Sequence, residues 1–569
     1  MTVEKKVFVR KATGLVREIG PLTAVLIVLC NTIGLGWQKR IFQFTGKAPI
    51  PENTYFMGAP PMLMAFVVGG IIILFSVLCY AILTSAMPRS GGGYVVVSRV
   101  VGPFWGYVGS WAEFLSIAWS FGIIAVAVFE AIGIFGALMG ISLPWTDVQM
   151  FAGGLVLVMI FVAVGALGVR MTGYLLQTIF WIPAALTIYL YALLVGGAGN
   201  PSLVATGLQT VTGKAASDYV SAALSQGMAT AFPGDYFGAM MVAMLGAYWA
   251  YIGYAASTFV AGEIKEAAKT LPRTLAYASV LIVLIYLSVS GLTYAASKIA
   301  VTPDGKWSFF SALSYLSYGA GSLAKAGLPG IKGWSSIIAG FAGSGMGLGA
   351  VNILLLVFAV FWVMNDIPPF ILTASRIIFA MSFDRMLPES LSSVSERFHA
   401  PVNATIFTGI VALLGVASES GVFGLGASWN PGANPILDAI FASGVTATDL
   451  YDGIFFTLFA LALVLFPYRK KEIFDKAPWK PGGVTVAVVV GLVAFVGNLF
   501  LDWIFLFAPA GSYNLAAIPT ASDPFIAGFG LWFTIGLLVL GALIYAYYRY
   551  RAKTTGVDFT TIFTQIPPE

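Results

Sequence analysis

Two acidic residues inside otherwise apolar stretches are the first candidates for chemistry. Asp366 stands in Asn365-Asp366-Ile367-Pro368-Pro369, about halfway along an apolar run. Glu113 lies nine residues beyond Phe104 in another such run, roughly 14 Å along a helix axis at 1.5 Å per residue. An acid at mid-bilayer costs on the order of 2.5–3.5 kcal/mol on insertion scales, so its default reading is a substrate or ion path. The two sit at similar depth, and no basic residue stands in the midsections of the spans. At least one of Asp366 and Glu113, with Asn365 beside the former, is therefore expected to contact a cationic part of a substrate or to carry a coupling proton. The competing readings are an ion pair with Lys39 or Arg40 and a structural hydrogen bond.

The other candidate is backbone. Cys30-Asn31-Thr32-Ile33-Gly34-Leu35-Gly36-Trp37 carries two glycines where a membrane helix should be most regular. A break there frees N–H and C=O groups at several kcal/mol each in hydrocarbon, so it is tolerable only where it lines a cavity or is buried in protein. In secondary transporters such breaks hold substrate, with the N–H end of a half-helix facing an anionic group. A second irregularity, Trp249-Ala250-Tyr251-Ile252-Gly253-Tyr254, interrupts a later apolar run with glycine and aromatics. Its pairing with the first is the sequence pointer to an inverted repeat with a site between the halves.

The elements that position these residues are membrane helices. Of 569 residues 59% are hydrophobic and only 10% charged, against about 25% charged in a soluble domain. A spanning helix needs about 20 apolar residues. Twelve such runs occur, near 21–45, 61–86, 104–136, 149–169, 173–195, 238–262, 275–298, 350–381, 402–420, 450–467, 484–508 and 525–548. Lys5, Lys6, Arg10, Lys11 and Arg17 precede the first run without the apolar core and cleavage site of a signal peptide. The positive-inside rule puts both termini in the cytoplasm of a multi-pass protein of the cell membrane, and the net charge of +5 is this juxtamembrane bias rather than a nucleic-acid footprint. The lipid bilayer is the expected partner and nucleic acid is not. Lys39 and Arg40 follow the first break; they either snorkel to the outer headgroups or form a basic outer vestibule.

Nothing indicates covalent chemistry. Cys30 and Cys79 lie in apolar helices as packing residues, and the single histidine, His399, has no nucleophile motif beside it. No catalytic residue, metal site or cofactor is expected. The loops near 196–237, 299–349 and 421–449 are long enough to be lids or plain surface caps.

Three blocks carry a resemblance. They are Pro88-Arg89-Ser90-Gly91-Gly92-Gly93-Tyr94; Gly262-Glu263-Ile264-Lys265 leading to Pro272-Arg273; and Thr373-Ala374-Ser375-Arg376 through Asp384-Arg385-Met386-Leu387-Pro388 to Ala400-Pro401-Val402-Asn403. In order and content they resemble the amino acid, polyamine and organocation transporter superfamily, amino acid permeases in particular. The resemblance implies an all-α integral membrane protein of twelve helices, with a five-plus-five inverted repeat like that of the bacterial leucine transporter and with helices 1 and 6 broken. The chain then divides into a cytoplasmic tail (1–18), helices 1–5 (19–195), an external loop (196–237), helices 6–10 (238–467), helices 11 and 12 with a preceding cytoplasmic loop (468–550) and a second tail (551–569).

It also implies a site. By motif, N–H groups of Leu35, Gly36 and Trp37 would hold a substrate carboxylate and carbonyls of Thr32, Trp249 and Ile252 its amine, with Ile33, Gly34, Tyr251 and Gly253 in the same stretches. Trp249 falls where related arginine and agmatine exchangers keep a gating aromatic, and Tyr254 flanks it. The family commonly has Ile-Gly-Ser-Gly-Ile-Phe where this chain has Ile33-Gly34-Leu35-Gly36-Trp37-Gln38. That departure fits either a narrowed, aromatic-walled site or an altered carboxylate site whose cargo is not an ordinary amino acid. Some proton-coupled relatives place a lysine in helix 5, and Gln177 to Ala184 contains none, so lysine-dependent coupling is not expected; sodium, a proton elsewhere, or exchange stay open. The expected function is secondary transport, as symporter or antiporter, of an amino acid or related organic cation by alternating access. The rivals are a polyamine or other amine transporter and a transporter-like nutrient sensor.

Overall fold

Prolines open several of the long helices, at the first turn where a missing N–H costs nothing and a fixed φ helps. Pro21, Pro61 and Pro103 begin α1 (Pro21–Thr32), α3 (Pro61–Ala86) and α5 (Pro103–Leu138). The computed structural model describes residues 8–9, 12–34, 36–141, 143, 145–422, 435–508, 513–557 and 559–568. Leu35, residues 423–434 of the third long loop and much of the basic N-terminal tail lie outside them. Among the described residues the architecture is all helical, with isolated bridges in place of any strand.

The remaining helices follow in order. They are α2 (Gly36–Lys47), α4 (Gly92–Val100), α6 (Asp147–Ala166), α7 (Val169–Gly199), α8 (Pro201–Thr212), α9 (Ala216–Ser225), α10 (Tyr236–Tyr251), α11 (Ala256–Phe259), α12 (Ala267–Ser297), α13 (Phe309–Tyr318), α14 (Ser335–Gly345), α15 (Ile353–Asn365), α16 (Ile367–Phe383), α17 (Val402–Ser420), α18 (Pro435–Arg469), α19 (Lys471–Lys476), α20 (Gly483–Phe507), α21 (Pro524–Ala527), α22 (Phe529–Thr554) and α23 (Phe559–Thr564). Eleven spans among the described residues are long and apolar enough to cross a membrane. The run 238–262 falls short of that length because α10 stops at Tyr251 and only the one-turn α11 follows. The first span is crossed by α1 and α2 together, and the eighth expected run by α15 and α16.

The three sequence blocks meet on one face. Arg376 of α16 donates from Nε and Nη2 to Glu263 at 2.8 and 2.9 Å, with both side chains fully buried. Arg99 of α4 grips Asp384 through both terminal nitrogens, Nη2 at 2.9 Å from Oδ1. Gly91 donates its N–H to the Phe259 carbonyl at 2.8 Å, and a Cβ on Gly92 would strike the Thr258 carbonyl. Both chain ends pack here: Val9 donates to the Phe383 carbonyl at 3.4 Å and Arg89 to that of Pro567 at 2.8 Å.

On the opposite face the loops between spans carry helices of their own. α13 packs on α2 and on α9, and α14 packs on α8. Gln38, the polar departure in the first span, explains part of this: Ser335 donates to its carbonyl at 3.2 Å and Ser336 to its side-chain oxygen.

Removing one partner from a buried ion pair strands the other, at about 3–5 kcal/mol, whereas replacing both with apolar groups is often neutral. Arg376→Met is expected to destabilise by that amount and Arg376→Met/Glu263→Met to regain most of it. Thermal and denaturant unfolding of the detergent-purified protein reads this directly; a single variant as stable as the wild type contradicts it.

Candidate functional site

The first span leaves helical geometry at Ile33 (φ −87°, ψ 79°) and resumes at Gly36. The second irregularity does the same: Ile252 turns extended (ψ 142°) and Gly253 takes φ 106°, a conformation suited to glycine. The two breaks touch, since a Cβ on Gly253 would land on the Asn31 carbonyl. Tyr286 of α12 lies between them, its hydroxyl 2.6 Å from the Thr32 carbonyl and 2.7 Å from that of Ala250. One phenolic proton thus serves two freed carbonyls.

Beside this junction is a cavity of about 120 Å³, against roughly 10–15 Å³ for one water. It has room for a small solute. Asn31, Thr32, Gly34 and Gly36 supply one wall and Trp249 and Ile252 another. Asp366 and Phe370 come from the α15–α16 segment, Ser116 and Ile117 from α5, and Lys39, Arg40 and Gln43 from α2. Glu419 of α17 and Asp449 and Asp452 of α18 complete the lining.

Asp366 sits directly on the first break. Its carboxylate fills the space a Cβ on residue 34 would need, and its Oδ1 has no hydrogen-bond partner. Gly34 is thus required for close approach as well as for unwinding. Asn365 is buried with neither amide atom partnered and lies outside the cavity wall. Glu113 is one step removed: it is buried, its Oε2 has no hydrogen-bond partner, and its carboxyl lies beside that of Asp452, which lines the cavity.

The other expected residues divide. Trp249 lines the cavity with its ring against Gly36, and the Arg40 guanidinium stacks 3.8 Å from the ring centroid. Trp37 points elsewhere, packed against Tyr286, Phe358 and Trp362 at centroid distances of 6.4, 6.0 and 6.3 Å. Ile33 is buried outside the wall. Tyr251 donates to the Phe66 carbonyl at 2.9 Å, and Tyr254 packs on Tyr80 and Phe456.

Arg40, a headgroup or vestibule residue by sequence, lies four positions after Gly36 on the same helical face as the break and lines the cavity. Asp449 and Asp452 in the lining, and Tyr286 between the breaks, did not stand out in sequence. Asp449 and Asp452 stand at the start of a run delimited at 450, where acids read as helix-end residues. Tyr286 is one tyrosine among 24 and had no distinguishing neighbour. Lys39 does not join the acids of the cavity; its Nζ is 3.6 Å from Glu130 and 5.9 Å from the Trp334 ring centroid. Carboxyl groups outnumber cations in the lining, which suits a substrate carrying an ammonium.

The family model described as amino acid permease matches residues 19–540. The chain belongs to the amino acid permease family. It is a multi-pass membrane transporter and not an enzyme. Among the relatives of this permease, the serine/threonine exchanger SteT of Bacillus subtilis (strain 168) is 25% identical over 407 residues, 70% of this chain and 76% of that one. The branched-chain amino acid permease BcaP of the same organism is 26% identical over 405 residues, 70% of this chain and 74% of that one. The crystal structure of MhsT in complex with L-phenylalanine aligns with 85% of this chain and 98% of its own, at 15% identity and a TM-score of 0.49.

Gly34→Ala is expected to drive a methyl into the Asp366 carboxyl, an overpacking that costs about 1–3 kcal/mol. Gly34→Ala/Asp366→Gly should recover stability. Unfolding midpoints of the two purified variants test this, and a Gly34→Ala midpoint equal to wild type refutes the contact.

Proposed function

We propose that this permease moves an amino acid or a related organic cation across the cell membrane by alternating access, with the cavity between the two breaks as its binding site. The observation that carries the reading is Asp366: a buried carboxyl with an unpartnered oxygen, lining a solute-sized cavity at the unwound backbone of the first span. Buried acids of this kind are costly unless a ligand or proton meets them. The names of the relatives, a serine/threonine exchanger and a branched-chain amino acid permease, support an amino acid as cargo.

In this reading the helices form a five-plus-five inverted repeat with the termini in the cytoplasm, and the two halves rock about the site. Trp249 is the gate beside the cavity, backed by α13 and α14 packed over α2. The substrate ammonium faces Asp366, with Asn31, Thr32, Gly34, Gly36 and Ile252 shaping its surroundings. The adjacent Glu113 and Asp452 carboxyls are the candidate store for a coupling proton.

Counterflow in proteoliposomes, with serine, threonine, leucine, isoleucine, valine, phenylalanine, arginine and putrescine as internal solutes, tests the function. Exchange of at least one amino acid is expected; binding without exchange across the panel would make the protein a sensor. Asp366→Asn or Glu113→Gln should lower uptake at least about tenfold, the effect of losing one charge-assisted hydrogen bond. Wild-type uptake and pH dependence in both variants would remove the acids from the mechanism.

A further inference from the structure

We propose that Arg40 receives the carboxylate of the cargo, so that the amino acid lies with its acid end at the Arg40–Trp249 stack and its ammonium toward the acids lining the cavity. This rests on the reading of the cavity as an amino acid site.

At the two glycines of the first break, Gly34 and Gly36, close approach by a carboxylate is obstructed. Asp366 already occupies the space at Gly34, and a second carboxylate brought there meets a like charge in a low-dielectric interior. Protonating Asp366 removes the charge and leaves its bulk in place. At Gly36 the Trp249 ring covers the Cα face. These two obstructions favour a side-chain cation as the partner of an anion in the cavity.

Among the described residues two cations line the cavity, Lys39 and Arg40. Lys39 is spoken for by Glu130 at 3.6 Å. Arg40 is not. It is 9% exposed, its Nε has no hydrogen-bond partner, and its Nη1 donates to the neutral Gln43 side chain. Among the described residues no carboxylate lies within 4.0 Å of the guanidinium.

The setting of the guanidinium also fits. Trp249 and Phe44 hold it by their ring faces, with Cζ 3.8 and 5.7 Å from the two centroids. Stacking of this kind uses the face of the guanidinium and leaves its N–H edge for a planar carboxylate, which arginine binds in a forked, two-bond geometry. Asp366, Asp449 and Asp452 line the remainder, so the cavity presents opposite charges to the two ends of a zwitterion. The rival role for Arg40 is a structural counter-charge to Asp449, which lies in its field.

The test is competition in proteoliposomes, with labelled L-leucine or L-serine as the transported probe. Inhibition by the unlabelled amino acid is compared with inhibition by its decarboxylated analogue, isoamylamine or ethanolamine. The wild type is expected to favour the carboxylate-bearing competitor by roughly 10- to 100-fold, as for a hydrogen-bonded charge pair. Arg40→Gln should bring the ratio near one and Arg40→Lys should retain part of it. A folded Arg40→Gln protein with an unchanged ratio overturns the proposal and returns the carboxylate to the backbone.

Where Arg40→Gln transports too slowly, ligand-induced shifts in Tm of the detergent-purified variants give the same comparison. Preference for the amino acid over the amine, lost in Arg40→Gln and partly kept in Arg40→Lys, supports the role; equal preference in both overturns it. The two readings fail separately. A wild type that transports neither amino acid nor amine defeats the cavity assignment, whereas one that transports without discriminating between them defeats only the role of Arg40.

Discussion

Backbone polar groups freed inside a bilayer have to be partnered by protein or by solute, and the centre of this molecule is arranged around that constraint. Breaking the first span at Ile33–Gly34 and stopping α10 at Tyr251 interrupts the helical hydrogen bonding of two segments that touch. The Tyr286 hydroxyl serves the Thr32 and Ala250 carbonyls together. The breaks are therefore mutually dependent: each supplies surface that the other needs, and α12 holds them at a fixed spacing.

Charge is distributed on the same logic. At the face carrying Val9 and Pro567, Arg376–Glu263 and Arg99–Asp384 are complete pairs. In the cavity the pairing is incomplete. Asp366 has an unpartnered oxygen, Arg40 an unpartnered nitrogen, and Glu113 and Asp452 an unpartnered oxygen each. The two sets of charges differ in that sense: one is paired within the protein and the other is left with unpartnered atoms.

The loop helices extend the contrast to the other face. α13 lies on α2 and α14 is tied to it through Gln38, so movement of the outer half of the first span is coupled to the structures above it. The substitution of an amide where the family commonly has phenylalanine thus has a local physical reason. The side-chain amide oxygen accepts from Ser336, and a phenyl ring would leave that hydroxyl without this partner.

Hydrophobic run lengths, the two glycine-bearing interruptions and the three motif blocks were sufficient in sequence to establish a helical membrane transporter and the family, because each depends on local composition or on short spacing. Asp366, Trp249, Thr32, Gly34 and Gly36, which line the cavity, stand out in sequence for the same reason: an acid, an aromatic and glycines in apolar runs differ from their neighbours. Which side chains face one another depends on helix packing across long stretches of chain. Only the tertiary structure turned Trp37 and Tyr254 away from the cavity, brought Asp452 to Glu113, set Tyr286 between the breaks and placed Arg40 on Trp249. A helical pattern gives the face on which a residue lies; the neighbouring helix determines what that face meets.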